Sequence, residues 1–347
     1  MNWIEQKTLG LFVKTNGLIS KPMLAGLGHI FMLHRVLPEP LRCKRSLINR
    51  DLAITPDQIS FCLEYFIKND YDFITLDELH DTLVNRLKRK RRFICITLDD
   101  GYQDNLEYGL PIFKKYNIPF CIYVTNCFAN RNGYMWWYYL EEYMHQHSQL
   151  SIDANQFFEW KSDAEKANQF AAIRTAVLKM SKDGIHDFVT KTLKVSIDKI
   201  HIDCEAETLS WQEIISLSNE PLATIGAHTM NHLPLAAQND VVMTDEIFLS
   251  KKELEEKIGK PVHHFAYPYG SFSEVGKREC ATALDAGFKT AVLNYPGNVF
   301  YENGNALHAL PRMPLGNNTD VQKLHEILTG INHFSYNGFQ KIPLTTQ

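Results

Sequence analysis

Short apolar runs at residues 29–33, 93–98, 120–125, 223–227, 264–267, 290–293 and 310–315 are separated by segments of helical periodicity. Several of these runs lack in/out alternation, as strands do when both faces are covered. Strand and helix in turn imply a parallel sheet, either open or closed into a barrel. The helix starts are marked. Thr55-Pro56-Asp57-Gln58 sets a capping hydroxyl, a first-turn proline and a capping-box partner in succession, and Thr75 with Glu78, Ser210 with Glu213 and Ser271 with Glu274 repeat the pattern. A helix over 243–258 carries Ile247, Leu254 and Ile258 on one side and stops at Gly259.

One stretch breaks the rhythm. From 135 to 205 the chain is aromatic, charged and helical in pattern, and no strand is expected. It reads as a helical insertion in which Trp136, Trp137, Tyr138 and Tyr139 pack against the barrel mouth; a sugar-stacking platform is the alternative. The expected layout is an N-terminal helical segment (1–28), a barrel in two parts (29–134 and 206–320), the insertion (135–205) and a C-terminal tail (321–347). The basic run at 86–92 directly precedes a buried strand and reads as a solvated helix end.

Composition narrows the class. Hydrophobic residues at 45% and charged residues at 22% exclude a disordered chain, and 36 basic against 40 acidic residues provide no basic field for nucleic acid. Seven cysteines without a Cys-x-x-Cys pair argue for a reducing compartment and against a cysteine zinc site. No run approaches the roughly 20 apolar residues of a membrane span, and Glu5, Lys7 and Lys14 interrupt what a signal peptide keeps apolar. A cytoplasmic protein is expected, with residues 1–27 an amphipathic segment packed on its own domain and not on a membrane. Oligomeric state has no signature in the sequence.

Active sites of parallel α/β folds collect at C-terminal strand ends, and three segments occupy that position. Thr97-Leu98-Asp99-Asp100-Gly101 closes the run 93–98. Adjacent carboxylates repel unless a cation is near; a divalent metal would let one ligate while its neighbour acts as a base, although Asp-Gly is equally a turn dipeptide. His228 and His232 stand four apart, the spacing that puts two imidazoles on one face of a helical turn. With one carboxylate they make a His2Asp set that leaves metal positions open for water and a substrate oxygen. Phe265-Ala266-Tyr267-Pro268-Tyr269-Gly270 reads as a rigid turn whose backbone N–H groups could form an oxyanion hole.

In this order the three segments resemble the polysaccharide deacetylase family, also called NodB-homology or carbohydrate esterase 4. Its motifs read Thr-Phe-Asp-Asp-Gly, His-(Ser/Thr)-x-x-His and Arg-x-Pro-(Tyr/Phe). The first is matched with Leu98 for the aromatic residue, the second in full by His228-Thr229-Met230-Asn231-His232, and the resemblance covers most of 29–320 outside the insertion. It implies a distorted (β/α)7 barrel of α/β class. It also implies a hydrolase that removes N-acetyl groups from an amino sugar or glycan with a divalent metal, usually zinc. Carried over by position, Asp100, His228 and His232 bind the metal, and Asp99 deprotonates the metal-bound water that attacks the amide carbonyl. The turn of Tyr267, Pro268 and Tyr269 holds the oxyanion through the Tyr269 backbone N–H. The departing amine needs an acid. His308 fits the family's Leu-x-His motif poorly because it precedes a strand. His34, at the end of the first strand, shares a rim with Asp99, as in the circularly permuted branch typified by poly-N-acetylglucosamine deacetylases, and is the expected acid.

Two departures stand out. Ala266 replaces the third-motif arginine that would orient the base, for which Arg312 is either the substitute or an ordinary surface ion pair, and no Asp-x-x-x-Trp motif is present. The partner implied is an N-acetylated sugar or glycan, polymeric or nucleotide- or lipid-linked. The other readings are a catalytically silent carbohydrate-binding barrel and a hydrolase of small cyclic amides.

Overall fold

The computed structural model describes residues 24–45, 48–153 and 156–342. The amphipathic segment expected over 1–27 lies, up to residue 23, outside the described residues. The strands are β1 (Gly28–Leu33), β2 (Arg35–Val36), β3 (Ala53–Ile54), β4 (Asp72–Phe73), β5 (Phe93–Leu98) and β6 (Phe120–Val124). They continue with β7 (Gln149–Asp153), β8 (Gln156–Glu159), β9 (Ala223–Ala227), β10 (His264–Ala266), β11 (Thr290–Val292) and β12 (Met313–Pro314). One parallel sheet runs β11-β10-β9-β6-β5-β1-β12, with β4 beside the start of β5.

The sheet curls until its edges meet. Leu310 forms a parallel bridge with Val292 of β11, and Met313 pairs with Phe31 of β1. The segment expected as one strand over 310–315 therefore serves two neighbours in turn. Pro311 and Pro314 lack the N–H groups that continuous pairing would need, which is why only Met313–Pro314 is regular strand.

Side-chain alternation sorts the barrel into two shells. Ile94, Ile96 and Leu98 of β5, with Ile122 and Val124 of β6, pack outward with the surrounding helices. Phe93, Cys95, Cys121 and Tyr123 form a separate cluster with Ile30, Ala266 and Val292. The same alternation turns Thr97, and Asp99 beyond it, toward the barrel axis.

The local helix signals hold where they are closed by their own residues. Thr75 and Ser210 form reciprocal capping boxes with Glu78 and Glu213, Thr55 caps the helix Pro56–Lys68, and the helix Asp240–Ile258 ends on Gly259 with φ 67°. Ser271 is different. Glu274 does accept its N–H at 3.1 Å, but the helix begins only at Lys277, because Glu279 caps Gly276 at 2.7 Å and takes over the start.

Between β6 and β9 the helices Trp136–Gln146, Asp163–Val177 and Ile197–Glu207 share a core around Trp136, Trp160, Phe188 and Leu140. Against the expectation of no strand there, β7 and β8 form an antiparallel hairpin. The alternation of Leu150 and Ile152 is a period-two signal hidden among helical neighbours. Helices Val321–Leu328 and Ile331–Asn337 occupy the stretch read as a tail. No helix among the described residues is long and apolar enough to cross a membrane.

Candidate active site

Each site residue sits where a strand gives way to a loop at the C-terminal rim. β5 ends at Leu98, and Asp99 and Asp100 follow. Asp100 has φ 74° and Gly101 φ 73°, so the chain reverses sharply and the two carboxylates face different partners.

Asp99 meets Arg312. The guanidinium donates to both carboxylate oxygens at 2.6 and 2.7 Å, and to the Leu293 carbonyl at 2.9 Å and Thr97 Oγ1 at 3.2 Å. Both side chains are buried. Burial pushes the Asp99 pKa up, but the charge and hydrogen bonds of Arg312 more than offset it and hold the group below the usual carboxylate range.

Asp100 meets the histidines. Its Oδ1 lies 3.3 Å from His228 Nε2 and 3.1 Å from His232 Nε2. The two imidazoles are not on a helical turn, as their spacing suggested. β9 ends at Ala227, and the loop beyond it brings them together through left-handed backbone at Thr229 (φ 65°) and His232 (φ 55°). Left-handed backbone costs an L-residue about 1–2 kcal/mol, and with Asp100 and Tyr269 (φ 62°) four non-glycine rim residues adopt it.

His228 Nδ1 lies 2.7 Å from the Ala266 carbonyl, which only accepts, so Nδ1 carries a proton and Nε2 is the nitrogen turned to the carboxylate. That nitrogen faces Asp100 Oδ1, a buried oxygen with no hydrogen-bond partner. His232 Nδ1 is 3.2 Å from Tyr269 Oη, which accepts from Trp136 Nε1 at 2.8 Å. Burial lowers the His232 pKa and raises that of Tyr269. A carboxylate oxygen and two imidazole nitrogens converging in a buried space are a donor set that fits a cation. The edges of a tetrahedral zinc site with bonds near 2.0–2.1 Å measure about 3.3 Å, close to the separations here. Asp100, His228 and His232 form the only such cluster among the described residues.

A family profile, polysaccharide deacetylase, matches residues 86–291, more than half of the chain and including both carboxylates and both histidines. The chain belongs to the polysaccharide deacetylase family. Solved structures share the fold. The Streptococcus pyogenes deacetylase PplD in complex with acetate aligns at TM-score 0.56 and 17% identity, over 87% of this chain and 97% of that one. IcaB from Ammonifex degensii aligns at 0.54 and 16%, over 88% and 98%. A de-N-acetylase from Aggregatibacter actinomycetemcomitans aligns at 0.51 and 14%, over 86% and 98%. No curated protein matches the chain.

The remaining deacetylase positions are distributed around a cavity of about 380 Å³. His34, half-buried just past β1, lines it with Asp99, Asp100, His228 and His232. The chain at His34 is held by Asn105, which donates to its carbonyl at 2.8 Å, and by the Arg35–Asp104 ion pair at 2.7 Å. His308 is not on the cavity wall; its Nε2 is 2.7 Å from the Phe288 carbonyl. Tyr267 is reached by the cavity, but its ring lies in the core and its hydroxyl donates to the His308 carbonyl. Pro268 is buried, and its carbonyl accepts from Gly270 at 2.7 Å. Gly270 is required: φ is 63°, and a Cβ there would sit 2.6 Å from the Asn294 nitrogen. The Tyr269 backbone N–H donates to no acceptor among the described residues.

The cavity also gathers residues that sequence reasoning did not place there: Asp51, Phe170, Arg174 and Asn294. Trp136 and Trp137 line it as well, so the aromatic run is both insertion core and cavity wall. A helix with only Phe170, Ile173 and Val177 buried carries no sequence signal that Arg174 would face a site.

Proposed function

We propose that the chain is a metal-dependent N-deacetylase of an N-acetylated amino sugar or glycan. The observation that carries this reading is the division of labour between neighbouring carboxylates. Asp100 joins two imidazoles with its Oδ1 otherwise unpartnered, while Asp99 is kept ionised by Arg312. Asp100, His228 and His232 would hold a divalent cation, zinc by their donor types and spacing, which when bound supplies Lewis acidity, making water more acidic and polarising a carbonyl.

Asp99 is a weak base because Arg312 stabilises its charged form, so it takes a proton only from water whose acidity has been raised. Arg312 fixes both carboxylate oxygens and with them the direction from which that proton is taken. The free N–H of Tyr269 donates to the oxygen of the tetrahedral intermediate. His34 protonates the departing amine, without which the C–N bond would have to expel an amide anion. Trp136, Trp137 and Phe170 exclude water from one side of the cavity and offer faces to the sugar ring. The Streptococcus pyogenes neighbour is described as a deacetylase holding acetate, the product this reaction would release.

The test is acetate release from N-acetylglucosamine oligomers by protein stripped with chelator and reloaded with zinc, beside Asp99→Asn at matched folded fraction. Zinc-dependent release that falls at least a hundredfold in the variant is expected. Equal rates in the two proteins would remove Asp99 as the base, and no zinc-dependent release from any oligomer would remove the deacetylase reading.

A further inference from the structure

Two side chains of the insertion reach the catalytic cavity with bonding capacity that the protein leaves unused. Arg174, on the helix Asp163–Val177, is half-buried on the cavity wall, its guanidinium 5.7 Å from the centre of the Tyr269 ring. It has no carboxylate within ion-pair distance and no hydrogen-bond acceptor for its side chain among the described residues. The other wall charges do not account for it. Asp99 is taken by Arg312, Asp100 faces the two histidines, and exposed Asp51 makes no ion pair with Arg174.

Trp137 provides the second observation. Its ring is buried 5.2 Å from that of His232, and its Nε1–H, a donor only, has no partner. Trp136 beside it spends its own N–H on Tyr269 Oη. A buried indole donor is normally satisfied, and a planar guanidinium fork is the side chain best matched to a carboxylate or phosphate. Arg174 lies over the Tyr269 ring and spends none of its N–H groups on an acceptor among the described residues.

We propose that Arg174 and Trp137 recognise an oxyanion carried by the substrate, so that the enzyme prefers an acidic N-acetylated sugar, bearing phosphate or carboxylate, to a neutral one. The inference rests on the deacetylase reading and names the substrate class of that same cavity. The chemistry required is an anionic oxygen group close to the N-acetyl sugar; phosphate and carboxylate supply it equally.

The experiment compares kcat/KM for N-acetylglucosamine 1-phosphate, N-acetylmuramic acid and free N-acetylglucosamine in the zinc-loaded protein, Arg174→Gln and Trp137→Phe. Calorimetric binding of the same three sugars is measured in parallel. Wild type should favour at least one acidic sugar by tenfold or more, mainly through KM, and which one separates phosphate from carboxylate. Arg174→Gln should cut the acidic-to-neutral ratio at least tenfold, Trp137→Phe less, and added salt should erode the preference in wild type and Trp137→Phe but not in Arg174→Gln. A ratio unchanged in Arg174→Gln, or no preference in wild type, overturns the proposal. If none of these monosaccharides releases acetate, the binding titration decides whether Arg174 selects an anion, and the deacetylase reading stands or falls separately on the oligomer assay.

Discussion

Arg312 reaches Asp99 across 213 residues of sequence and meets both of its carboxylate oxygens, with both side chains buried. Each charge makes the other tolerable. Arg312→Met strands an ionised carboxylate in the interior, and breaking a buried pair this way costs about 3–5 kcal/mol, read as a fall in denaturation midpoint. Replacing both charges, Asp99→Leu with Arg312→Met, should recover most of that stability while acetate release stays at background. A double variant no more stable than the single one would show that the pair does not act as a unit.

Tyr269 should control metal affinity through His232. Its hydroxyl contacts His232 Nδ1 and is itself tied by Trp136, and partners of this kind typically alter affinity about 10–100-fold. Tyr269→Phe is expected to weaken zinc binding in that range. Asp100→Asn should abolish the rise in melting temperature that zinc produces in wild type, a rise worth about 2.7 kcal/mol at a hundred times Kd. Titration of melting temperature with zinc measures both.

His34 and His308 divide cleanly. Only His34 lines the cavity, whereas His308 is engaged by the Phe288 carbonyl. His34→Gln should slow acetate release about 10²–10⁴-fold, the usual contribution of a general acid, and keep the zinc-induced thermal shift. His308→Gln should leave the rate within about twofold, against that same scale. The reverse pattern would move the acid to His308.

Acid should loosen the C-terminal helices. His333 Nδ1 accepts the Asn298 N–H at 3.0 Å and its Nε2 lies 2.8 Å from the Gln340 carbonyl, so the ring is neutral with its proton on Nε2. Burial lowers its pKa, partly offset by the bond to Gln340. The unfolded chain therefore protonates first. The stabilisation is complete above the ordinary histidine value of about 6.5 and is lost as pH falls through it toward the lower folded value. His264 and His308, also lowered by burial, act in the same direction. The melting temperature should drop between about pH 7 and pH 5. His333→Gln should flatten that slope by up to about 1.4 kcal/mol per pH unit; an unaltered slope would exclude His333.

Chemistry closed within a few residues was readable from sequence. The capping boxes at Thr75 and Ser210 involve a hydroxyl and a carboxylate three positions apart, and both are present. The paired carboxylates and the histidine pair were visible because their residue types are costly to place together. What failed depends on partners far along the chain. Arg312 looked as much like a surface residue as a site residue because nothing near it in sequence names Asp99. The turn holding His228 and His232 is left-handed, which residue spacing cannot express, and Arg174 joins the cavity only because the insertion folds back over the rim.

The segment that joins β11 to β1 is also the one that carries Arg312. Sheet closure and neutralisation of Asp99 are thus a single event, and one that waits for a late part of the polypeptide to be made. A chain interrupted before residue 312 would have two open sheet edges and an uncompensated negative charge in its interior. A copy that stops short of Arg312 thus lacks both the closed sheet and the partner that makes the buried charge of Asp99 tolerable.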